Sequence, residues 1–200
     1  DIGGTKVLGV LLDPNGSVLG EERRLSPHAG VEALVETAAG IVSDLAPAGV
    51  PVGVGAAGLV NRDGHVLYSP NLPTVRDAPL REALLAATQH PLVVDNDANC
   101  AAVAEHRFGA ARGARDVVLV TLGTGIGAGV LIDGELRRFP DGLVLGVPTD
   151  LDADARDVRS AAEQAALAVD AAYVLAAAGL LAAEHPVAAA RLATGALVRL

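Results

Sequence analysis

Two stretches of this chain, 120 residues apart, carry one pattern, and that pattern limits the folds open to it. Gly3, Gly9, Val10, Leu11 and Asp13 recur as Gly123, Gly129, Val130, Leu131 and Asp133, while Ile2 and Leu12 meet Leu122 and Ile132 in the same register. Each copy reads as a strand, a Gly/Thr loop, a second strand and a turn. The physical reading is two related half-domains, each offering a small-residue loop to a shared cleft.

The segments between the copies alternate in period. Val7 to Leu12 and Ser17 to Leu25 read as a hairpin closed by Asp13-Pro14-Asn15-Gly16, where Pro presets φ and Gly accepts the left-handed position. Val31, Leu34, Val35, Ala38, Val42 and Leu45 have helical spacing, and Pro47 to Pro51 ends that helix. Val52 to Ala57 reads as an inner strand, followed by a hairpin turned at Asn61-Arg62-Asp63-Gly64. Asp77 is placed to cap a short helix through Leu80, Ala83, Leu84 and Ala87. Leu92 to Val94 is a short buried strand ending in Asp95-Asn96-Asp97-Ala98-Asn99, and an alanine-rich helix then runs to about Gly109. Val117 to Leu122 breaks into Gly123-Thr124-Gly125-Ile126-Gly127 and resumes as Ala128 to Ile132.

Loops of this kind leave backbone N–H groups uncovered and let a ligand approach the main chain, which suits phosphate oxygens. Neither is a Walker A loop, since no Gly-x4-Gly-Lys-Ser/Thr occurs, and the second is followed by a strand-like segment rather than the helix of a dinucleotide fold. The plain alternative is a pair of ordinary hairpin bends; two loops in repeat register favour phosphates. A carboxylate in the Asp95–Asn99 stretch, where strand passes into helix, can take a proton from a hydroxyl nucleophile during phosphoryl transfer. Asp97 or Asn99 serving only as a helix cap is the competing reading.

Composition removes other classes. The net charge of -9 argues against a nucleic-acid surface, which needs a concentrated basic patch. Aromatic residues are 2%, so the core has to be built from Val, Leu, Ile and Ala. The single cysteine, Cys100, cannot form an internal disulfide or a multi-Cys zinc site; it favours a reducing compartment and is expected to be buried on its helix. No signal peptide is visible at the start. The chain lacks methionine even at position 1, so the expectation is a sequence entered partway through its first strand.

Four motifs in order give a resemblance. Asp-Ile-Gly-Gly-Thr-Lys at 1–6, Ser69-Pro70-Asn71-Leu72-Pro73, Asn96-Asp97-Ala98-Asn99-Cys100-Ala101-Ala102 and Leu122-Gly123-Thr124-Gly125-Ile126-Gly127-Ala128-Gly129 resemble the ROK family, most nearly its bacterial glucokinases, over residues 1–138. The resemblance implies an α/β, actin-like ATPase (ribonuclease H-like) fold with the active site between two domains. Here that means a complete N-terminal domain over 1–110 and the start of a second over 111–200. It implies ATP-dependent phosphorylation of a hexose, glucose first, in the cytoplasm, with ATP and nucleotide-bound Mg²⁺ as cofactors. It leaves a homodimer or homotetramer open, and involves no membrane and no nucleic acid in this part of the chain. Asp1, Gly3, Gly4, Thr5 and Lys6 would form the first phosphate loop, with Asp1 acting on magnesium through water. Gly123, Thr124 and Gly125 would form the second. Asn71, Asn96 and Asp97 would contact sugar hydroxyls, with Asp97 as the base. The family also includes sugar-responsive repressors with a DNA-binding segment ahead of the first motif, and a non-catalytic remnant is a third reading.

Past Arg138 the family pattern stops. Neither the Gly-Glu-x-Gly-His segment nor the cysteine cluster that hold sugar and structural zinc in the family occurs, so no metal site is assigned. Alanine occurs 20 times in residues 1–150 and 19 times in the last 50 alone, while glycine occurs 21 times before and only as Gly179 and Gly195 after. The expectation is that 139–192 replaces the zinc and sugar block, by frameshift, gene-model error or divergence. Residues 153–184 read as a long alanine-rich helix. The window 165–183, with Asp170 its one charge, is better suited to a soluble helix than to a membrane span.

Overall fold

The computed structural model describes residues 1–122, 126–138, 174–177 and 197–198. Contacts divide the chain into two compact units, Asp1–Asp97 and Ala98–Leu200.

The first unit opens on the expected hairpin. β1 (Lys6–Leu12) and β2 (Val18–Leu25) pair antiparallel, with Lys6 opposite Leu25 and Gly9 opposite Glu22. At the turn, Asp13 Oδ1 accepts the N–H groups of Asn15 and Ser17, each at 2.8 Å, and Gly16 takes φ +86°. The backbone bond from Ser17, and then that from Asn15, stabilises the ionised carboxyl and holds Asp13 below its ordinary value of 3.8. α1 (Val31–Leu45) buries Leu34, Ala38 and Ile41. It lies so close to β1 that a Cβ on Gly9 would stand 2.2 Å from Ile41 Cγ2.

β3 (Val52–Ala56) leads into a small antiparallel sheet of β4 (Leu59–Val60), β5 (Val66–Tyr68) and β6 (Arg76–Ala78). The foreseen turn at 61–64 closes it: Asn61 N–H donates to His65 O and Gly64 N–H to Asn61 O, both at 3.0 Å. α2 (Leu80–Thr88) follows, and then β7 (Leu92–Asn96), which pairs parallel with β3 from Val52↔Leu92 to Ala56↔Asn96. Asp77 does not cap α2. Pairing of Val66 with Ala78 carries Asp77 into β6 with φ 49°, its carboxylate meets His65 Nε2 at 2.8 Å, and Pro79 stands at the N-cap without a side-chain bond.

Ile2 joins these pieces. It bridges Val7 antiparallel and Ala56 parallel, its N–H donates to Gly55 O (2.7 Å) and its carbonyl accepts Ala57 N–H (2.9 Å). Its side chain enters a core with Val7, Leu34, Ile41, Ala56, Val66, Leu72, Leu84 and Val94. Among the described residues the buried hydrophobics are all Ile, Leu, Val or Ala, as the scarcity of aromatics requires.

α3 (Asp97–Phe108), whose first residue ends the first unit, precedes in the second unit a sheet with strand order β10-β9-β8-β11-β12. Its strands are β8 (Val117–Leu122), β9 (Ile126–Ile132), β10 (Glu135–Arg137), β11 (Val174–Ala177) and β12 (Leu197–Val198). β9 is β1 displaced by 120 residues at both ends. Gly129 repeats the part of Gly9: a Cβ there would stand 2.5 Å from Ala98 O and 2.6 Å from Ala102 Cβ, both on α3. Cys100 is half-buried rather than buried, because Ala98 and Ala102 occupy the face of α3 that meets β9.

The alanine-rich segment departs from its expected helix where it is described. Val174–Ala177 is a strand, paired parallel to β8 from Val174↔Val118 to Ala177↔Thr121. Val117 to Val120 are fully buried, and a buried strand needs a partner for its ladder on each edge; that demand overrides the helix preference of alanine. The rest of 153–184 lies outside the described residues, as does Gly123–Gly125. Among the described residues no helix is long and apolar enough to cross a membrane.

Gly9→Ala and Gly129→Ala should each lower unfolding stability by about 1–3 kcal/mol through overpacking. Gly53→Ala, where an added Cβ meets nothing within 4 Å, should stay within about 0.5 kcal/mol of wild type, all three read from denaturant midpoints. Asp13 should titrate below 3.8 by NMR. Because its folded value is depressed, the stabilisation lost in Asp13→Ala should be present above the unfolded value and vanish as pH falls through the folded one.

Candidate functional site

The candidate site residues of the first unit gather at the carboxyl ends of the parallel strands β3 and β7, the edge at which open α/β sheets bind ligands. Ala56 and Asn96 are the last paired residues, and Ile2 lies beside Ala56, so the loop 3–5 and the Asn96-Asp97 pair leave the sheet at one edge.

The loop is a tight bend closed at its base. Asp1 and Leu8 exchange main-chain hydrogen bonds at 2.8 and 2.9 Å, and Gly3 N–H donates to Lys6 O at 3.0 Å. Beyond that rung, the N–H groups of Gly4 and Thr5 have no acceptor among the described residues. Unpaired main-chain donors on a bend are the elements of an anion nest. Asn71 stands directly against the bend: a Cβ on Gly4 would come within 2.6 Å of both Asn71 Cβ and Asn71 O. Gly4 is therefore required for the close approach of Asn71 to the loop.

A second line of contacts reaches the carboxylate. Gly58 turns with φ +117° immediately under Tyr68 O and Ser69, and its carbonyl accepts Asn96 Nδ2 at 2.9 Å. Asn96 Nδ2 also donates to Asp97 Oδ1 at 2.9 Å, and Asn96 N–H to Asp95 Oδ1 at 2.8 Å. Asn96 thus orients the Asp97 carboxylate from a side chain that is itself anchored on Gly58. Asp97 is the first residue of α3, partly buried, in the first turn where a negative charge is favoured. Loop 3–5, Asn71, Gly58, Asn96 and Asp97 form one connected set; Lys6 starts β1 and Asp1 is exposed at the loop's entrance.

Sequence reasoning named Ser69 only as part of a motif and missed Gly58 and Ser26. Ser69 is 1% exposed and its hydroxyl has no partner among the described residues; Ser26 is buried behind the first loop. The signal for Gly58 was present in Ala57-Gly58-Leu59, a glycine ending an inner strand before a hairpin, where a positive φ lets the chain double back. No group of three or more His, Cys, Asp and Glu able to hold a metal occurs among the described residues.

Loop amides without an acceptor among the described residues and a braced Asn–Asp pair stand at the ends of parallel strands, the edge at which open α/β sheets bind their ligands. The chain belongs to the ROK family, whose model matches residues 1–145. It is 40% identical over 164 residues to the glucokinase of Streptomyces coelicolor, a match covering 73% of this chain and 51% of that protein. A crystal structure of a ROK family glucokinase from Streptomyces griseus in complex with glucose and AMPPNP matches with a TM-score of 0.65 at 38% identity, over 72% of this chain and 46% of that one. The xylose repressor of Bacillus subtilis is 30% identical over 149 residues, 71% of this chain and 38% of the repressor. The chain spans about half the length of the glucokinases it matches. With this membership, the architecture is the α/β fold of the actin-like ATPases.

Asn96→Ala removes the bond to Gly58 O and the charge-assisted bond to Asp97. It should cost roughly 1.5–3 kcal/mol of unfolding stability, measured by denaturant titration.

Proposed function

We propose that this chain carries the sugar-binding and first phosphate-binding elements of an ATP-dependent hexose kinase, with glucose as the first substrate to test. The observation that carries the proposal is the connected set in the first unit: Gly4 and Thr5 amides without an acceptor among the described residues, Asn71 against them, and Asp97 oriented by Asn96. The Streptomyces griseus relative, crystallised with glucose and the ATP analogue AMPPNP, supports both halves of that reading.

In this reading Asn71 and Asn96 hydrogen-bond the hexose hydroxyls and place one of them at Asp97. Asp97 accepts the hydroxyl proton as the oxygen attacks the γ-phosphorus. The bond from γ-phosphorus to the bridging oxygen breaks, and ADP leaves with that electron pair. Gly4 and Thr5 N–H groups hold phosphate oxygens, and Gly123, Thr124 and Gly125 are proposed from the sequence as a second phosphate loop. The Asp1 carboxylate, a hard oxygen donor exposed at the loop's entrance, is suited to hold nucleotide-bound magnesium, which is ordinarily held by one or two carboxylates plus phosphates and water. Magnesium there would supply charge neutralisation on the phosphates. Since the Gly-Glu-x-Gly-His segment is absent, sugar affinity should rest on Asn71, Asn96 and Asp97 and be weaker than with the full family set.

A second reading, a sugar-responsive repressor, is favoured by the likeness to the xylose repressor. It predicts hexose binding without turnover. A coupled assay with glucose, ATP and Mg²⁺ separates the two. Asp97→Asn should lower kcat by about 10²–10⁴-fold with little change in sugar binding. Turnover unaffected by this change would remove Asp97 from the role of base.

A further inference from the structure

Ser26 lies just beyond β2 and is 6% exposed, and both of its polar main-chain and side-chain donors are spent on the first loop. Its hydroxyl donates to Gly3 O at 2.5 Å, and its N–H donates to Thr5 O at 3.0 Å. A trans peptide is planar, with C=O and N–H pointing in opposite directions. Drawing Gly3 O toward Ser26 therefore turns the Gly4 N–H away from it, and drawing Thr5 O the same way fixes the peptide that carries the Lys6 N–H. The intervening Gly4–Thr5 peptide hangs between two pinned neighbours. The amides left without an acceptor among the described residues, Gly4 and Thr5, belong to this stretch.

We propose that Ser26 is a positioning residue of the first phosphate loop: by holding the Gly3 and Thr5 carbonyls from behind, it aims the loop's N–H groups outward at phosphate. This rests on the phosphate-loop reading above and adds to it a residue outside the Asp-Ile-Gly-Gly-Thr-Lys motif. Ser26 touches no ligand; it acts through the orientation of two peptide planes. A buried serine that served the fold alone would, when removed, lower stability or disturb both substrates alike. A serine that aims the loop affects the nucleotide selectively.

The test uses the full chain as wild type, Ser26→Ala, Ser26→Thr and Ser26→Cys. It measures KM for MgATP and for glucose by coupled assay, AMPPNP affinity by calorimetry, and Tm. Ser26→Ala should weaken AMPPNP binding and raise KM for MgATP about 5- to 10-fold, the effect of one lost hydrogen bond, with KM for glucose within about twofold. Ser26→Thr, which keeps the hydroxyl, should restore nucleotide affinity. Ser26→Cys keeps the volume but donates weakly, so it should follow Ala and carries the test if Ala fails to fold. Equal loss of nucleotide and glucose affinity, unchanged AMPPNP affinity in Ser26→Ala and Ser26→Cys, or no recovery in a folded Ser26→Thr would each overturn the proposal. A wild type that binds no AMPPNP would overturn the phosphate-loop reading itself, an outcome visible before any variant is compared.

Discussion

The first unit hangs on the main chain of Ile2. Its N–H and C=O bond to Gly55 and Ala57 on one side, its bridge to Val7 lies on the other, and its side chain fills the core between. Without those bonds the β1–β2 hairpin and the parallel pair β3–β7 would be separate sheets, and the loop at 3–5 would have no fixed place relative to Asn96. The position of loop 3–5 is thus set by one buried aliphatic residue that has no chemistry of its own.

Close approach is the second constraint. α1 lies on β1 at Gly9, α3 lies on β9 at Gly129, and Asn71 lies on the loop at Gly4; in each case a Cβ would enter the van der Waals shell of the neighbour. The repeat that first marked the chain owes part of its identity to this packing. Gly9 and Gly129 match because each lies under a helix.

Much of this was legible in the residues. The hairpin at Asp13–Gly16, the turn at Asn61–Gly64, α1 and the inner strand β3 follow from local chemistry: turn residues with the right φ, and apolar spacing with one dominant period. What was not legible depends on partners distant in sequence. Asp77 has the look of a cap, but pairing of β6 with β5 turns it toward His65. Val174–Ala177 has the composition of a helix, but the buried edge of β8 recruits it as a strand. At the site, the motif residues could be named from the sequence, whereas the hydrogen bond from Asn96 to Gly58 and the two from Ser26 join positions 38, 23 and 21 residues apart and have no local signature.

Gly3 stands apart from the other glycines of the first repeat. A Cβ there would make only an ordinary contact, 3.4 Å from Lys6 O, and its φ is not in the left-handed region. The fold would accept alanine at that position, as it would not at Gly4 or Gly9. The motif glycines therefore carry two kinds of information: Gly4 and Gly9 report what the chain must fit within itself, and Gly3 reports what is free to vary in the fold alone. A sequence that lost Gly3 alone would still be recognisable, by its remaining glycines, as the same fold.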